Sequence, residues 1–342
     1  MTLFSKMPPI PRKDELLSKA FQRARKVKKT IDKRDRINSI REYEQNKIST
    51  VSAVISVSID NILEKTPKID TLDPFHKHLV ELVIDADQFK KSLAALKWAA
   101  RFNKDICHKY RRRLKGTPLK SLAPVRKECY GRVSSILKQV KKDFIFLEDC
   151  RNILKNLPTL KNLPTVVLAG YPNVGKSSLL KCLTGAEPAV QAYPFTTKKI
   201  LLGYIDEKIQ VIDTPGLLDR PIEQKNKIEM QAMLALQYRA NLIIYLIDPT
   251  ETCGYTIEQQ KSLYEDIKSS FEETQILLCE TKYDLRPRKI KQKKSLTKDT
   301  PYFLSSKTNE GIDPLKKRLL RSIDWKTYSF KPISFKSPPR HK

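Results

Sequence analysis

Residues 165–177 read Thr-Val-Val-Leu-Ala-Gly-Tyr-Pro-Asn-Val-Gly-Lys-Ser, the most informative segment of the chain for its fold class. Residues 165–168 form a short β-branched, apolar run that predicts a buried strand. Residues 170–177 match the phosphate-loop pattern G-x-x-x-x-G-K-[ST] at the start of a predicted helix. Glycines let successive backbone N–H groups surround phosphate oxygens, and a helix N-terminus adds partial positive charge. A chance glycine turn is the alternative explanation, but the strand–loop–helix order favours a nucleotide-binding loop.

The polar residues of this loop each have an expected role. We expect Lys176 to reach the β- and γ-phosphates, and Ser177 to offer its hydroxyl to Mg²⁺, which prefers hard oxygen ligands. The loop alone does not distinguish ATP from GTP. The residues expected to surround the phosphates are Gly170, Tyr171, Pro172, Asn173, Val174, Gly175, Lys176, Ser177 and Ser178.

A second segment completes the phosphate end of the predicted site. Asp213-Thr214-Pro215-Gly216 follows a predicted strand. A carboxylate there can hold a magnesium-bound water, and the Gly216 N–H can contact the γ-phosphate.

Two later segments favour guanine as the base. Thr281-Lys282-Tyr283-Asp284 follows a strand-like run, and Ser305-Ser306-Lys307 ends the last one. Asp284 can accept hydrogen bonds from the N1–H and NH₂ groups of guanine, which adenine does not offer in that arrangement. The stem of Lys282 can lie along the purine ring, and backbone N–H groups of residues 305–307 can reach the guanine O6. Because ligands bind at the carboxyl ends of strands in such sheets, we predict a guanine-nucleotide site.

The chain as a whole divides into two domains and a tail. Strand-like and helix-like runs alternate after residue 161, and the predicted strands cover residues 165–169, 199–205, 208–212, 242–247, 275–280 and 302–305. This order predicts a P-loop GTPase domain with a mostly parallel sheet and helices on both faces. Earlier residues show apolar stripes at helical spacing, such as Phe89, Leu93, Leu96 and Ala100, and predict a helical bundle. We expect the bundle over residues 1–160, the GTPase domain over 161–325 and a disordered basic tail over 326–342.

Composition excludes several classes of protein. The 342 residues include 40% hydrophobic and 30% charged side chains, which fits a globular protein. The longest apolar run, 242–247, is too short to cross a bilayer, and residues 1–12 lack a secretory segment. The six cysteines never lie within four residues of each other, so neither a zinc site nor a redox pair is indicated. We expect a soluble intracellular protein with reduced thiols.

The net charge of +28 is unevenly distributed. Residues 1–160 carry 36 basic and 18 acidic side chains, 161–280 carry 12 and 15, and 281–342 carry 18 and 5. Basic flanks around a slightly acidic centre favour an RNA partner over a merely solvated surface. The densest clusters are Arg111–Arg113 with Lys115 beside Tyr110, and Lys289, Lys291, Lys293 and Lys294. Tyr110 is a candidate to stack on an unpaired base.

At these motifs the sequence resembles the Obg-type translation-factor GTPases, and among them the Nog family of nucleolar GTP-binding proteins. The resemblance covers roughly residues 10–325. It rests on Leu72–Phe75 and Asp85–Ala94 in the helical half, and on the phosphate loop, Ala189–Lys198, Asp213–Leu218, Glu229–Ala232 and Cys253–Gln260 in the other. Within the family we expect the chain to correspond to the short, archaeal-type form, without the long C-terminal extension of the eukaryotic members.

The resemblance implies a GTPase that uses GTP, GDP and Mg²⁺ in assembly of the large ribosomal subunit. The implied partners are that subunit or its precursor, ribosomal RNA and ribosomal proteins, without a membrane. The protein would be a monomer off the ribosome, and cytoplasmic or, in a eukaryote, nucleolar. Carried over by position, the first switch would be Phe195–Lys199, with Thr196 and Thr197 inside it, and the second would be Asp213–Leu218. The metal ligands would be Ser177, Thr197 and Asp213.

Two departures from related GTPases bear on activity. Thr281 stands where the guanine motif usually has an asparagine that braces the phosphate loop, so affinity is expected to fall while selectivity through Asp284 remains. Leu217 stands where Ras-like GTPases place the glutamine that orients water, so intrinsic hydrolysis is expected to be slow. Either K⁺ bound at Asn173 or a partner would supply the missing charge. The candidate catalytic residues are Lys176, Thr197, Gly216 and Asn173.

Two functions from different classes remain open at this point. One is a GTPase switch that controls binding to the pre-ribosome. The other is an RNA-binding scaffold that nucleotide merely stabilises, an alternative that Leu217 favours. Asp284 disfavours a general ATPase, and the lack of an acceptor-substrate motif disfavours a small-molecule kinase.

Overall fold

The structure is a computed structural model that describes residues 4–30, 32, 34–158, 160–191, 199–221, 225, 227–286 and 302–322. The chain divides into two compact units. The first comprises Met1–Thr71 and Val83–Lys155, and the second comprises Leu72–Leu82 and Asn156–Lys342. The helical half and the P-loop GTPase half predicted from the sequence are therefore both present.

Helices account for the chain before the first strand. Within the described residues they are α1 (Lys13–Arg25), α2 (Arg36–Lys65), α3 (Pro74–Val83), α4 (Ala86–Lys115), α5 (Leu122–Gln139) and α6 (Lys141–Leu154). The two longest, α2 and α4, each run for 30 residues and pack together. Aspartates begin both: Asp35 accepts the Asn38 N–H at 3.3 Å, and Asp85 accepts the Gln88 N–H at 2.9 Å.

The core of the first unit is mostly apolar and includes a buried polar contact between its two longest helices. Phe89, Leu96 and Ala100 of the predicted stripe are buried, and Leu93 is half-buried. Between α2 and α4, the fully buried Asn103 donates through Nδ2 to the Ser52 carbonyl and the Ser56 hydroxyl, both at 3.2 Å. These bonds satisfy the amide and fix the relative register of the two helices.

The second unit is built on a seven-stranded sheet in the order β2-β3-β4-β1-β5-β6-β7. The pairs β2–β3 and β3–β4 are antiparallel. The pairs β4–β1, β1–β5, β5–β6 and β6–β7 are parallel. The strands are β1 (Thr165–Ala169), β2 (Ala189–Gln191), β3 (Ile200–Ile205), β4 (Ile209–Asp213), β5 (Ala240–Ile247), β6 (Gln275–Glu280) and β7 (Tyr302–Phe303). The helices are α7 (Lys176–Thr184), α8 (Lys227–Ala235), α9 (Ile257–Ser270) and α10 (Ile312–Ser322).

The sheet differs from the sequence prediction at one edge. β2 was not predicted, because its three residues are too few to show an alternating pattern, and its central Val190 is exposed. It pairs antiparallel with β3, so the sheet is mostly but not entirely parallel, as expected.

Helix α3 belongs to the second unit although it lies within the residues predicted for the helical bundle. An ion pair holds it there: the buried Arg239, directly before β5, donates to the half-buried Asp73 at 3.2 Å, and its guanidinium lies over the Phe75 ring. Burial opposes ionisation of Asp73, but hydrogen bonding to His76 and the charges of His76 and Arg239 outweigh it and lower the pKa of this carboxyl. The domain boundary therefore does not fall at a single point near residue 160.

All six cysteines are free, and five of them are buried. Within the part of the chain that the structure describes, no helix combines the length and the apolar character needed to cross a membrane.

Candidate nucleotide-binding site

The predicted phosphate loop connects β1 to α7, as the sequence pattern requires. At Gly170 the backbone has φ +132°, and a Cβ placed there would lie 2.5 Å from the Leu246 carbonyl oxygen on the neighbouring β5. At Gly175 φ is +101°, directly before the first residue of α7. Both positions need glycine, the first for close approach and the second for its left-handed backbone.

Lys176 is buried at the start of α7. Its Nζ donates to the carbonyl oxygens of Gly170 and Tyr171, each at 2.7 Å. The loop therefore fixes the position of the ammonium group, which supplies a positive charge beside the backbone N–H groups at the helix N-terminus.

Ser177 and Asp213 lie together, which joins the loop to the end of β4. The Ser177 hydroxyl donates to Oδ2 of Asp213 at 2.6 Å. The second carboxylate oxygen, Oδ1, is buried and has no hydrogen-bond partner among the residues that the structure describes. Burial raises the pKa of Asp213 above its usual value, although the Ser177 hydrogen bond and the Lys176 charge act against this effect.

These two side chains fit a magnesium ion. Hydroxyl and carboxylate oxygens are the ligands that Mg²⁺ prefers, and an unpaired buried carboxylate oxygen is stabilised by a nearby cation or by a water bound to one. The third predicted ligand, Thr197, lies outside the described residues, as do Phe195 and Thr196 of the predicted first switch.

A cavity of about 440 Å³ lies in front of the loop. Its described lining consists of Pro172, Asn173, Gly175, Lys176, Ser177, Ser178, Asp213, Pro215 and Asp219. Gly170, Tyr171, Val174, Thr214 and Gly216 are not among these residues, and the Val174 side chain is fully buried in the core. Asn173 is exposed and has φ +61°, a left-handed conformation that asparagine tolerates well.

Asp219 is a cavity residue that the sequence analysis missed. It is buried, and its Oδ2 accepts the backbone N–H of Gly216 at 2.8 Å. We expect the Gly216 N–H to contact a γ-phosphate. In this structure the Asp219 carboxylate accepts that N–H instead. Between them, Leu217 and Leu218 are fully buried, so neither side chain faces water.

The base end of the predicted site is organised by a contact between its two segments. The Ser305 hydroxyl donates to Oδ1 of Asp284 at 2.6 Å, and the Tyr283 N–H donates to the Leu304 carbonyl at 3.1 Å. The contact fixes the orientation of the Asp284 carboxylate. Ser306 and Lys307 follow Ser305 directly, and the Ser306 carbonyl lies 3.5 Å from the Cys182 sulfur of α7.

Lys282 is held by a carboxylate from β5. Its Nζ bonds to Oδ2 of Asp248 at 2.7 Å and to the Thr252 hydroxyl at 2.8 Å. Burial disfavours the Asp248 charge, but hydrogen bonds from Lys282 and Thr250 outweigh it and lower the pKa of this carboxyl. The role of Asp248 could have been predicted from its position, because it directly follows the apolar run 242–247, as Asp213 follows the run 208–212.

Thr281 does not brace the phosphate loop. Its hydroxyl and its N–H both donate to the Ile247 carbonyl, at 3.1 and 2.8 Å. The loop instead has an aromatic contact that was not predicted: the buried Tyr171 ring stacks on Tyr255 with centroids 4.1 Å apart. Spacing could not reveal this pair, because the two residues are far apart in the sequence.

The basic clusters predicted to bind RNA differ from expectation at one residue. Arg111, Arg112, Arg113 and Lys115 are exposed, but Tyr110 is buried and its hydroxyl donates to Glu128 at 2.6 Å. Tyr110 as a base-stacking residue is therefore wrong, because its ring is not accessible. The cluster Lys289, Lys291, Lys293 and Lys294 and the tail 326–342 lie outside the described residues.

Comparison with known families agrees with this arrangement. Residues 4–161 match the family described as NOG1 N-terminal helical domain, and residues 165–282 match the family described as 50S ribosome-binding GTPase. The first match lies in the helical half and the second lies in the P-loop half, in the order expected from the sequence.

Relatives with similar sequences come from archaea and eukaryotes. An uncharacterised protein of Methanocaldococcus jannaschii is 45% identical over 285 residues, which is 82% of this chain and 81% of that protein. Nucleolar GTP-binding protein 1 of Eremothecium gossypii is 34% identical over 84% of this chain and 46% of its own length. The Drosophila melanogaster protein of the same name is 35% identical over 80% of this chain and 42% of its own length. The chain thus spans less than half the length of these two named relatives.

The position of Asp219 leads to a prediction about the affinity of the site for GTP relative to GDP. Because its buried carboxylate occupies the Gly216 N–H and repels a nearby phosphate, Asp219→Ala should raise affinity for GTP relative to GDP by about tenfold. Titration of both nucleotides by isothermal calorimetry measures this ratio. The exposed Glu272→Ala is the matched control and should leave the ratio unchanged. An unaltered ratio in Asp219→Ala would show that this carboxylate does not oppose the γ-phosphate.

Proposed function

Since this chain belongs to the Nog family of nucleolar GTP-binding proteins, we propose that it is a GTP- and GDP-binding switch that acts in assembly of the large ribosomal subunit. The observation that carries the proposal is the shared edge of the sheet. There the phosphate loop, the Ser177–Asp213 pair and the Asp284–Ser305 pair all follow the carboxyl ends of strands. A phosphate site and a carboxylate suited to guanine thus belong to one compact unit.

At the base, Asp284 accepts the N1–H and NH₂ groups of guanine. The Ser305 hydrogen bond supports this role because it fixes the carboxylate before the base arrives. The stem of Lys282 lies along the purine while its ammonium group stays with Asp248. Backbone N–H groups of Ser306 and Lys307 are the donors for O6.

At the phosphates, the loop N–H groups and Lys176 balance the negative charge. Ser177, Asp213 and Thr197 would hold Mg²⁺, directly or through bound water, and the ion would supply further positive charge beside the phosphates. The unpaired Oδ1 of Asp213 supports this assignment. The Gly216 N–H exchanges Asp219 for the γ-phosphate, so the second switch, Asp213–Leu218, responds to the nucleotide.

Hydrolysis is slow in the isolated protein. Leu217 and Leu218 are fully buried and carry no group that orients water. The charge that assists the reaction comes either from K⁺ held at Asn173, which lines the cavity, or from a partner on the pre-ribosome. The left-handed backbone at residue 173 is an independent reason for asparagine there, so the residue type alone does not decide between these sources.

The ribosomal part of the function rests on charge and on the relatives. The basic flanks contact ribosomal RNA of the large subunit or its precursor, ribosomal proteins provide additional contacts, and nucleotide state controls retention and release. The protein then works where large subunits assemble, in the cytoplasm or, in a eukaryote, in the nucleolus. The buried Leu217 and Leu218 favour a second candidate function, a nucleotide-stabilised RNA-binding scaffold in which hydrolysis is incidental.

Competition between nucleotides tests the site itself. We expect the protein to prefer GTP over ATP by about tenfold or more in a competition titration with Mg²⁺, because Asp284 satisfies donors that only guanine presents there. Asp284→Asn should abolish the preference, whereas Asp313→Asn on α10 should preserve it. Equal competition by ATP in the unaltered protein would contradict a guanine site.

Comparison of cations tests the source of the catalytic charge. If K⁺ at Asn173 assists hydrolysis, single-turnover rates should be about tenfold higher in KCl than in NaCl at equal ionic strength. The increase should disappear in Asn173→Ala. Lys176→Ala should be inactive in either salt. Equal rates in both salts would exclude the cation and assign the charge to a partner.

A further inference from the structure

The first compact unit exposes an aromatic pair on α4. The rings of Trp98 and Phe102 stack with centroids 5.3 Å apart and planes 16° from parallel. The two residues are 42% and 43% exposed. Large aromatic rings are mostly buried in folded domains, since exposing them to water costs free energy. An exposed, stacked pair therefore indicates a surface that contacts another molecule.

The charge of α4 is strongly positive. The helix contains ten basic residues and two acidic ones. Three of the basic residues form ion pairs: Lys90 with Asp70, Lys104 with Asp60, and Arg113 with Glu128. These pairs neutralise part of the charge at the sides of the helix.

The cations beside the aromatic pair are not neutralised in this way. Spacings of three, four and seven residues place Lys91, Arg101, Lys109 and Arg112 on the helix face that carries Trp98 and Phe102. All four are exposed, and none forms an ion pair with a described carboxylate. Asp105 is the single acidic residue between them on this face. We call these six residues, Lys91, Trp98, Arg101, Phe102, Lys109 and Arg112, the α4 strip.

The α4 strip has the dimensions of a contact with an extended polymer. At 1.5 Å per residue, the distance along the helix from Lys91 to Arg112 is about 32 Å. Cations lie toward both ends and the aromatic pair lies near the middle. A small anion would contact only one end of such a strip.

We propose that the α4 strip binds an unpaired segment of RNA, with bases stacked on Trp98 and Phe102 and phosphates beside the four cations. This inference rests on the RNA-binding part of the proposed function and locates it on one helix. A duplex keeps its base faces stacked internally, so only unpaired bases can extend the aromatic stack. A protein partner fits less well because lysine is depleted in protein–protein interfaces.

The α4 strip replaces Tyr110 as the aromatic element of RNA binding. Tyr110 lies on the buried side of the same helix, whereas Trp98 and Phe102 lie on its exposed side. The arginines at residues 111–113 are near the end of the strip, so the basic cluster found in the sequence and the stacking site belong to one helix.

Binding of a labelled 12-nucleotide single-stranded RNA to the full chain tests this inference. In fluorescence anisotropy at several salt concentrations, Trp98→Ala/Phe102→Ala should weaken binding about tenfold or more without changing the salt dependence, because stacking releases no counterions. Lys109→Ala/Arg112→Ala should weaken binding and reduce the salt slope by about 1.4, since each phosphate contact on a single strand contributes about 0.7. Ile145→Ala/Ile153→Ala, which removes exposed apolar side chains from α6, is the matched control and should bind normally.

A direct readout comes from Trp98 itself. In a Trp325→Phe background, which leaves Trp98 as the single tryptophan, single-stranded RNA should quench its fluorescence and a duplex of the same sequence should not. Circular dichroism confirms that each variant is folded.

The outcomes separate this inference from the proposed function. If the unaltered protein binds RNA and the double aromatic variant binds within twofold of it, the stacking site is wrong and the pair is a protein contact. If the unaltered protein binds no RNA at low salt, the RNA part of the proposed function fails together with this inference. Trp98→Phe/Phe102→Tyr, which preserves both rings, should bind nearly as well as the unaltered protein.

Discussion

The close approach of Gly170 to β5 is the constraint on which the candidate site depends. With the Leu246 carbonyl 2.5 Å from where a Cβ would lie, the chain can leave β1 only through a residue without a side chain. At the same residue, the Gly170 N–H donates to the Leu218 carbonyl at 2.9 Å, and this bond joins the phosphate loop to the segment after β4. The loop then turns into α7 and presents its N–H groups at the carboxyl edge of the parallel strands. Any larger residue would displace the loop from both neighbours.

Three aspartates at this edge show how the fold prepares for a charged ligand. Asp248 is fully compensated by Lys282, Thr250, Thr252 and the Cys253 N–H, so it serves to hold the base end in place. Asp213 accepts a hydrogen bond from Ser177 through Oδ2, and within the described part of the chain its Oδ1 has no hydrogen-bond partner. Asp219 takes the Gly216 N–H. Buried carboxylates next to a phosphate site repel the phosphate, and a divalent cation bound between them removes this repulsion. The electrostatics therefore link nucleotide and metal binding.

Much of the fold could be predicted from the sequence because its signals are local. β1 and β6 have the predicted bounds, and β3, β4 and β5 begin within two residues of them, because each is a short apolar run. The short β2 and the membership of α3 could not be predicted, since they depend on pairing with β3 and on the Arg239–Asp73 ion pair. For Tyr110 a signal existed but was not used. Its helical spacing to Asn103, Cys107 and Leu114, all buried, places it on the inner face of α4.

Candidate site residues could be predicted where the residue type and its motif indicate the chemistry. They could not be predicted where a role depends on a contact made only in the folded chain. Lys176, Ser177, Asp213 and Asp284 could be identified from motif and order alone. The partners that orient them could not, because Ser305, Asp219 and Tyr255 meet their targets only in the folded chain. Thr281 shows the same limit: the sequence indicated a lost brace, and the structure shows the Tyr171–Tyr255 stack at the loop.

Co-sedimentation with large ribosomal subunits and their precursors, at several salt concentrations, tests the proposed switch most directly. Binding would be measured in three conditions: in the presence of a non-hydrolysable GTP analogue, in the presence of GDP, and in the absence of nucleotide. We predict selective binding to large subunits or precursors that depends on the GTP analogue and persists at physiological salt. Binding that ignores the nucleotide and disappears with modest salt would contradict the switch, because it would reduce the basic flanks to non-specific electrostatic attraction.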